Sequence, residues 1–307
     1  MDKVLSVIQT ALPVFLALGL GMLCRSKGFL NRDGIDTLKK VVVNITLPFV
    51  LLNAFATAEY SLAALILPTV VFLLCCLILG FGKLVCKWFR IPGRLAPFLA
   101  SGFEAGMLGY ALFVLLFPEI SVSHFALLDL GQTLFVFTLY KILLSGKADP
   151  KAIVKDMVTS PILWAVFAGV LIGASGLYRA MESWGVSNVF QSVTSFLSAP
   201  TGMIILLTVG YDLVLKDIPW KRTAGMIALR LSAMALFFGL LVFLNKTVLN
   251  GIVCMEAALL MAILPPPYVI PVFADEPSER VQISSALSAL TLCTMLLFAL
   301  LSVLTGI

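Results

Sequence analysis

Few side chains in this sequence are equipped for chemistry, and the most conspicuous is an acid in an apolar setting. Glu104 lies within residues 100–118, ASGFEAGMLGYALFVLLFP, flanked by Gly102, Gly106 and Gly109. In hydrocarbon an ionised side chain at mid-helix costs about 2.5–3.5 kcal/mol on insertion scales. Interrupted backbone survives there only where it is buried in protein or lines a watery cavity. The stretch therefore reads as a helix break carrying a functional acid, a candidate for proton exchange or ion binding. The competing reading is a neutral, hydrogen-bonded Glu that only ties a broken helix together. A second interruption, ILPPPYVIP at 263–271, places Pro265, Pro266, Pro267 and Pro271 in one segment, and each removes a backbone donor.

Other polar residues are weighed in the same way. Asp129, with Gln132 and Thr133 on the same helical face, lies within an apolar run, and an acid at that depth is expected to face the bundle interior. It could pair with a cation or relay protons with His124. Arg230, well inside another apolar run, could neutralise a substrate carboxylate or Glu104, or snorkel to the interface. Glu256 opens the segment that leads to the proline cluster and is either a site residue or interfacial. Asn44, with Thr46 and Asn53 around Pro48, flanks a helix irregularity and is held equally as substrate contact or packing. Ser284, Ser285, Ser288 and Thr291 could face the breaks, with helix packing as the default, and Lys141 and Asp212 read as interfacial.

The elements that must position these groups are membrane helices. Of 307 residues, 61% are hydrophobic and 12% charged, with a mean hydropathy of +1.08; a soluble domain has about 25% charged residues. A span needs about 20 apolar residues, and ten fit: 4–24, 38–56, 63–86, 95–117, 122–144, 160–178, 187–211, 222–244, 252–273 and 281–304. The first resembles a signal peptide in charge pattern but has no small-residue cleavage site and reaches spanning length. Basic residues fall in the odd connections: Arg25, Lys27, Arg32, Lys39 and Lys40; Lys83, Lys87, Arg90 and Arg94; Lys141, Lys147, Lys151 and Lys155; Lys216, Lys221 and Arg222. The positive-inside rule puts those connections in the cytoplasm and both termini outside a plasma (cytoplasmic) membrane. The net charge of +5 thus reports topology, and no nucleic-acid partner is expected. Six cysteines show no metal-ligand spacing and read as reduced core residues.

The polar stretch 145–159 divides the chain into halves of five spans, 1–144 and 160–307. An odd number per half inserts them with opposite orientation, so homologous halves would form an inverted repeat. PVFLALGLGML from Pro13 resembles PILWAVFAGVL from Pro161, and LPFVLL around Pro48 resembles APTGMIILL around Pro200. The fourth span of each half is the broken one, and paired interruptions of this kind point to a midplane binding site. A shift of 152 superposes Glu104 on Glu256 and Pro48 on Pro200, whereas matching the breaks needs a slip of about a turn; both registers stay open.

These residues resemble the auxin efflux carrier family, within the larger group that includes the bile acid/sodium symporters. The resemblance spans nearly the whole chain: LP-x-x-LL at Leu47 to Leu52, the glycine-rich fourth span, the seventh span from Ser198 to Gly210, LPP at Leu264 to Pro266, and a tenth span rich in Ser and Thr. It implies an all-α integral membrane transporter with ten helices, in which broken helices four and nine cross. A scaffold or dimerisation domain would comprise spans one, two, six and seven, and a transport domain spans three to five and eight to ten. It also implies organic-anion cargo such as auxins or dicarboxylates, and a homodimer. Glu104 stands where the family has Asn, and Ala111 where its crossing Pro would fall, while Gly106 and Gly109 match.

The resulting expectation is a secondary transporter of a small organic anion in the lipid bilayer, with no cofactor and with H+ or Na+ as candidate coupling ion. The alternative is a cation/proton exchanger using Glu104 and Asp129 with no organic substrate. No hydrolase, metalloprotease or nucleotide-binding motif is present at a usable position, so an enzyme is not expected. Proton coupling through Glu104 makes a specific prediction: Glu104→Gln folds but changes the pH dependence of flux in proteoliposomes, and an unaltered pH profile rules that role out.

Overall fold

The computed structural model describes residues 2–58, 60, 62–145, 155, 158–213, 220–274 and 276–305, and every regular element among them is helical. In chain order the helices are α1 (Asp2–Ser26), α2 (Arg32–Ala56), α3 (Leu62–Trp88), α4 (Ala105–Leu116), α5 (Val122–Ser145), α6 (Pro161–Ala174), α7 (Leu177–Ser183), α8 (Ser187–Asp212), α9 (Trp220–Thr247), α10 (Met255–Ile263) and α11 (Pro277–Thr305). A short 3-10 turn at Ala96–Ala100 precedes α4, and another at Ile270–Phe273 follows α10. Most of the 145–159 connection lies outside the described residues.

Length and apolarity let six of these helices cross a bilayer, within α2, α3, α5, α8, α9 and α11, and α6 with α7 passes the same test as a pair bent by 62°. Their outer faces are greasy. Leu12, Leu16, Leu20 and Leu23 of α1 and Leu296, Leu300 and Leu304 of α11 recur at helical spacing and are exposed, the pattern of a surface solvated by lipid. The chain is a polytopic helical membrane protein.

Local chemistry sets the helix ends and irregularities. α2 starts at Arg32, six residues earlier than its apolar run suggests, because the Asn31 side chain accepts from the Gly34 N–H at 2.8 Å and caps a charged first turn. Inside it, Val42–Thr46 widens to a π-turn just before Pro48. Proline lacks an N–H and its ring would meet the carbonyl four residues back, and one wide turn relieves both. α6 stops at Ala174, where Gly176 adopts φ +76° and turns the chain into α7.

Two close helix crossings frame the molecule. α1 packs against the second half of α8, and α6 packs against the second half of α2. At the first, a Cβ on Gly21 would lie 2.1 Å from the Leu207 carbonyl oxygen; at the second, a Cβ on Gly173 would lie 2.7 Å from the Phe55 carbonyl oxygen. Gly21 and Gly173 are 152 positions apart in the chain, and so are Phe55 and Leu207. The remaining helices form a second group in which α3 packs on α5 and α9, and α9 on α10 and α11.

Backbone contact at such a crossing leaves no room for a methyl group. Gly21→Ala is expected to cost about 1–3 kcal/mol through overpacking. Gly19→Ala, on the same helix with nothing within 4 Å, should be neutral or stabilise by about 0.5–1 kcal/mol. Thermal melting of the detergent-purified variants distinguishes the two, and equal shifts would contradict this packing.

Candidate functional site

The two interruptions meet in space. Residues 101–104 separate the 3-10 turn Ala96–Ala100 from α4, and 264–269 separate α10 from the turn Ile270–Phe273. The Glu104 N–H donates to the Pro265 carbonyl at 2.9 Å, joining the two segments directly. Gly102 has φ +73°, and a Cβ there would lie 2.9 Å from Pro267 Cγ. A glycine is thus required on both counts: backbone conformation and the proline ring across from it. Gly109 is also constrained, since a Cβ would meet Phe125 at 2.6 Å and Leu264 at 2.8 Å, whereas one on Gly106 would only touch Leu47 at 3.4 Å.

Two charged side chains satisfy the backbone groups that the breaks leave open. Glu104 caps α4: its Oε1 accepts from the Met107 N–H at 3.2 Å, and its Oε2 accepts from the Tyr268 N–H at 2.6 Å. One carboxylate therefore serves donors from both segments, where a neutral aliphatic side chain would leave them bare. Arg230, from α9, does the complementary work at the carbonyl ends. Its Nη1 donates to Leu99, Ala100 and Gly102 at 3.3, 3.2 and 2.8 Å, and its Nη2 to Leu264 at 2.8 Å. The side chain is 2% exposed and its guanidinium lies 5.1 Å from the Phe103 ring centroid. Among the described residues it forms no ion pair with a carboxylate. Arg230 neither snorkels nor pairs with Glu104 in this arrangement, because four carbonyls hold it inside the protein.

Asp129 belongs to a sealed polar knot beside the first break. It accepts from Tyr110 Oη at 2.8 Å, Gln132 Nε2 at 2.9 Å and Thr133 Oγ1 at 3.1 Å, and is 6% exposed. Gln132 in turn accepts from the Phe103 N–H at 3.2 Å. The knot thus fixes the backbone one residue before Glu104. His124 is exposed near the start of α5, and among the described residues no hydrogen bond joins it to Asp129. Pro266 is buried between Pro265 and Pro267.

Glu256 and Asn44 lie apart from this crossing. Glu256 is exposed in the first turn of α10 and accepts from Cys254 Sγ at 3.3 Å. Asn44 is exposed and donates to the Lys40 carbonyl at 2.8 Å. The crossing brings Glu104 against Pro265 and Tyr268 and leaves Glu256 outside it.

Beside the crossing is a cavity of about 480 Å³ between α2 and α8 on one side and α4, the 268–272 turn and α11 on the other. Met107 and Tyr268, whose N–H groups hold Glu104, both line it, and Glu104 itself is half-buried. Thr208, Ser284, Ser288 and Thr291 line the cavity as well, the last three at one-face spacing along α11, and the Thr208 and Thr291 hydroxyls donate to the Ile205 and Leu287 carbonyls. Tyr268 Oη and Thr291 Oγ1 are 3.0 Å apart. The wall also carries Arg32, Lys39 and Arg280, with Asp212 bridged to Arg32 at 2.6 Å and paired with Lys39. Along the chain Asp212 reads as interfacial, and Arg32, Lys39 and Arg280 carry no signal beyond loop charge. Which loops converge is not legible there.

No protein-family model matches the chain. It is 26% identical over 217 residues, 67% of each chain, to a protein of Methanothermobacter thermautotrophicus described as an uncharacterized transporter. That likeness, with the apolar helices, supports a general transporter role in a membrane.

The glycine requirements can be separated by substitution. Gly102→Ala should cost about 1–3 kcal/mol, from positive φ and the clash with Pro267, while Gly106→Ala should be close to neutral. Melting of both purified variants tests this, and a tolerated Gly102→Ala would show that the two segments do not meet as described.

Proposed function

We propose that the chain is a secondary transporter of a small organic anion, such as a mono- or dicarboxylate or an auxin-like acid, working by alternating access around the crossed breaks. The observation that carries this is the cavity beside the crossing, with its hydroxyl lining and three basic residues against one acid. Hydroxyls and basic groups in a half-dry cavity suit an anion whose carboxylate needs charge-assisted donors.

The ten-span arrangement as two inverted five-span repeats, 1–144 and 160–307, is part of the same proposal. Its support is the pair of glycine crossings 152 positions apart and the matching helix breaks. The division into a scaffold of α1, α2, α6 to α8 and a transport unit of the other helices draws support from their packing, with the cavity running between them. Under the positive-inside rule the basic wall faces the cytoplasm, which makes this an inward-open form. Membership of the auxin efflux carrier family rests on the motif resemblance. Glu104 fits a proton carrier in this scheme because both residues that hold it also line the cavity, within reach of bound cargo. The exchanger reading needs Asp129 as an ion ligand, but its carboxylate is already taken up by three side-chain donors, which favours the carrier.

Flux of a panel of mono- and dicarboxylates into proteoliposomes, with imposed pH and sodium gradients and an ion-only control, tests the proposal. Loss of one charge-assisted hydrogen bond, worth about 1.5–3 kcal/mol, should raise the half-saturating concentration of the transported anion at least about tenfold in Arg280→Gln, and further in Arg280→Glu. Ion exchange without any organic-anion flux would overturn the carrier reading.

A further inference from the structure

We infer that the Arg230 guanidinium is a tethered cation filling a latent cation site at the crossing. The inference rests on the transport reading only for its consequence for flux; the site itself stands on geometry. In broken-helix transporters, unwound carbonyls and the carbonyl ends of half-helices form the donor sets that hold coupling cations. Here the carbonyls of Leu99, Ala100 and Gly102 from one break and of Leu264 from the other converge, and what they hold is an arginine head group.

Three features favour this over simple packing. The carbonyls come from both interrupted segments, so the bound charge joins them. The guanidinium keeps its charge under any physiological condition, and it is 2% exposed with no carboxylate partner among the described residues. The charge is therefore offset by carbonyl dipoles, as a coordinated ion would be. A small cavity of about 20 Å³ lies against Arg230, lined also by Met234, Leu264, Pro265 and Thr294, and the Nε atom has no partner among the described residues. Truncating the side chain joins the space of the head group to this cavity and opens the carbonyl cluster to a small cation.

In this arrangement the carbonyl cluster holds its cation at every stage of a transport cycle, so no sodium ion need enter with the cargo. α9 supplies that cation, and the two breaks should move with α9 as one body.

The test uses the full chain purified in detergent, as wild type and as Arg230→Ala, Arg230→Met and Arg230→Lys, melted in sodium chloride, in choline chloride and with millimolar guanidinium chloride added. Wild type should melt at the same temperature in sodium and choline. Arg230→Ala should melt lower and regain about 2–4 °C with guanidinium. Arg230→Lys, which keeps a charge, should stay above Arg230→Met, which keeps the bulk. Sodium stabilisation of wild type, an unmoved Arg230→Ala, or Arg230→Met at or above Arg230→Lys would each overturn the inference. If Arg230→Ala does not accumulate, the comparison of Arg230→Lys with Arg230→Met and the wild-type salt comparison decide the matter. Wild-type flux separates the site from the transport reading. No organic-anion flux alongside these melting shifts removes the carrier reading and leaves the cation site, whereas organic-anion flux that requires sodium keeps the carrier and removes the cation site.

Discussion

Two helices that break inside a membrane leave carbonyls without donors and N–H groups without acceptors, and lipid can satisfy neither. In this protein the need is met by one base and one acid. Arg230 donates to carbonyls of both segments and Glu104 accepts from N–H groups of both, while the Glu104 N–H and the Pro265 carbonyl join the segments directly. Because each side chain spans the two breaks, neither interruption is stable in this form without the other. The glycine at 102, the proline at 267 and the sealed knot around Asp129 then serve one geometry: they bring the segments close enough for single side chains to reach across.

The two outer crossings share one kind of close backbone approach, while the inner crossing is asymmetric in its chemistry. The outer crossings, α1 on α8 and α6 on α2, use glycines at equivalent distances along the chain, so the same close approach is built twice. The inner crossing uses an acid from the start of α4 and a base from α9. Each is positioned by its own neighbours: Glu104 by the backbone that Gln132 holds at Phe103, and Arg230 by the carbonyls and the Phe103 ring. The asymmetry gives the crossing a carboxylate next to the cavity and a guanidinium shut away from it.

The cavity lies where the two helix groups face each other, and its charged wall comes from three places distant in sequence: the start of α2, the end of α8 and the start of α11. The ion pairs of Arg32 and Lys39 with Asp212 are partly exposed and contribute little to stability. Their value is in holding basic groups at the cavity wall. Ser284, Ser288 and the Tyr268 to Thr291 contact line the same cavity.

Much of this is legible in the sequence for identifiable reasons. Apolar runs of spanning length announce membrane helices because nothing else solvates them, and Glu104 among glycines and the prolines at 265–267 announce breaks because such residues cannot continue a helix cheaply. Asp129 with Gln132 and Thr133 can be read as one inward face from helical spacing alone. What spacing does not carry is register and destination. Glu256 sits at the position that a 152-residue shift gives Glu104, yet it is exposed outside the crossing, where Glu104 meets Pro265 and Tyr268. Asn44 shares the neighbourhood of Pro48 but points to its own helix at Lys40. Arg230 reads locally as a charge needing an exit or an acid, and only the tertiary structure gathers four carbonyls around it, because they come from residues 99 to 102 and 264, brought together by folding.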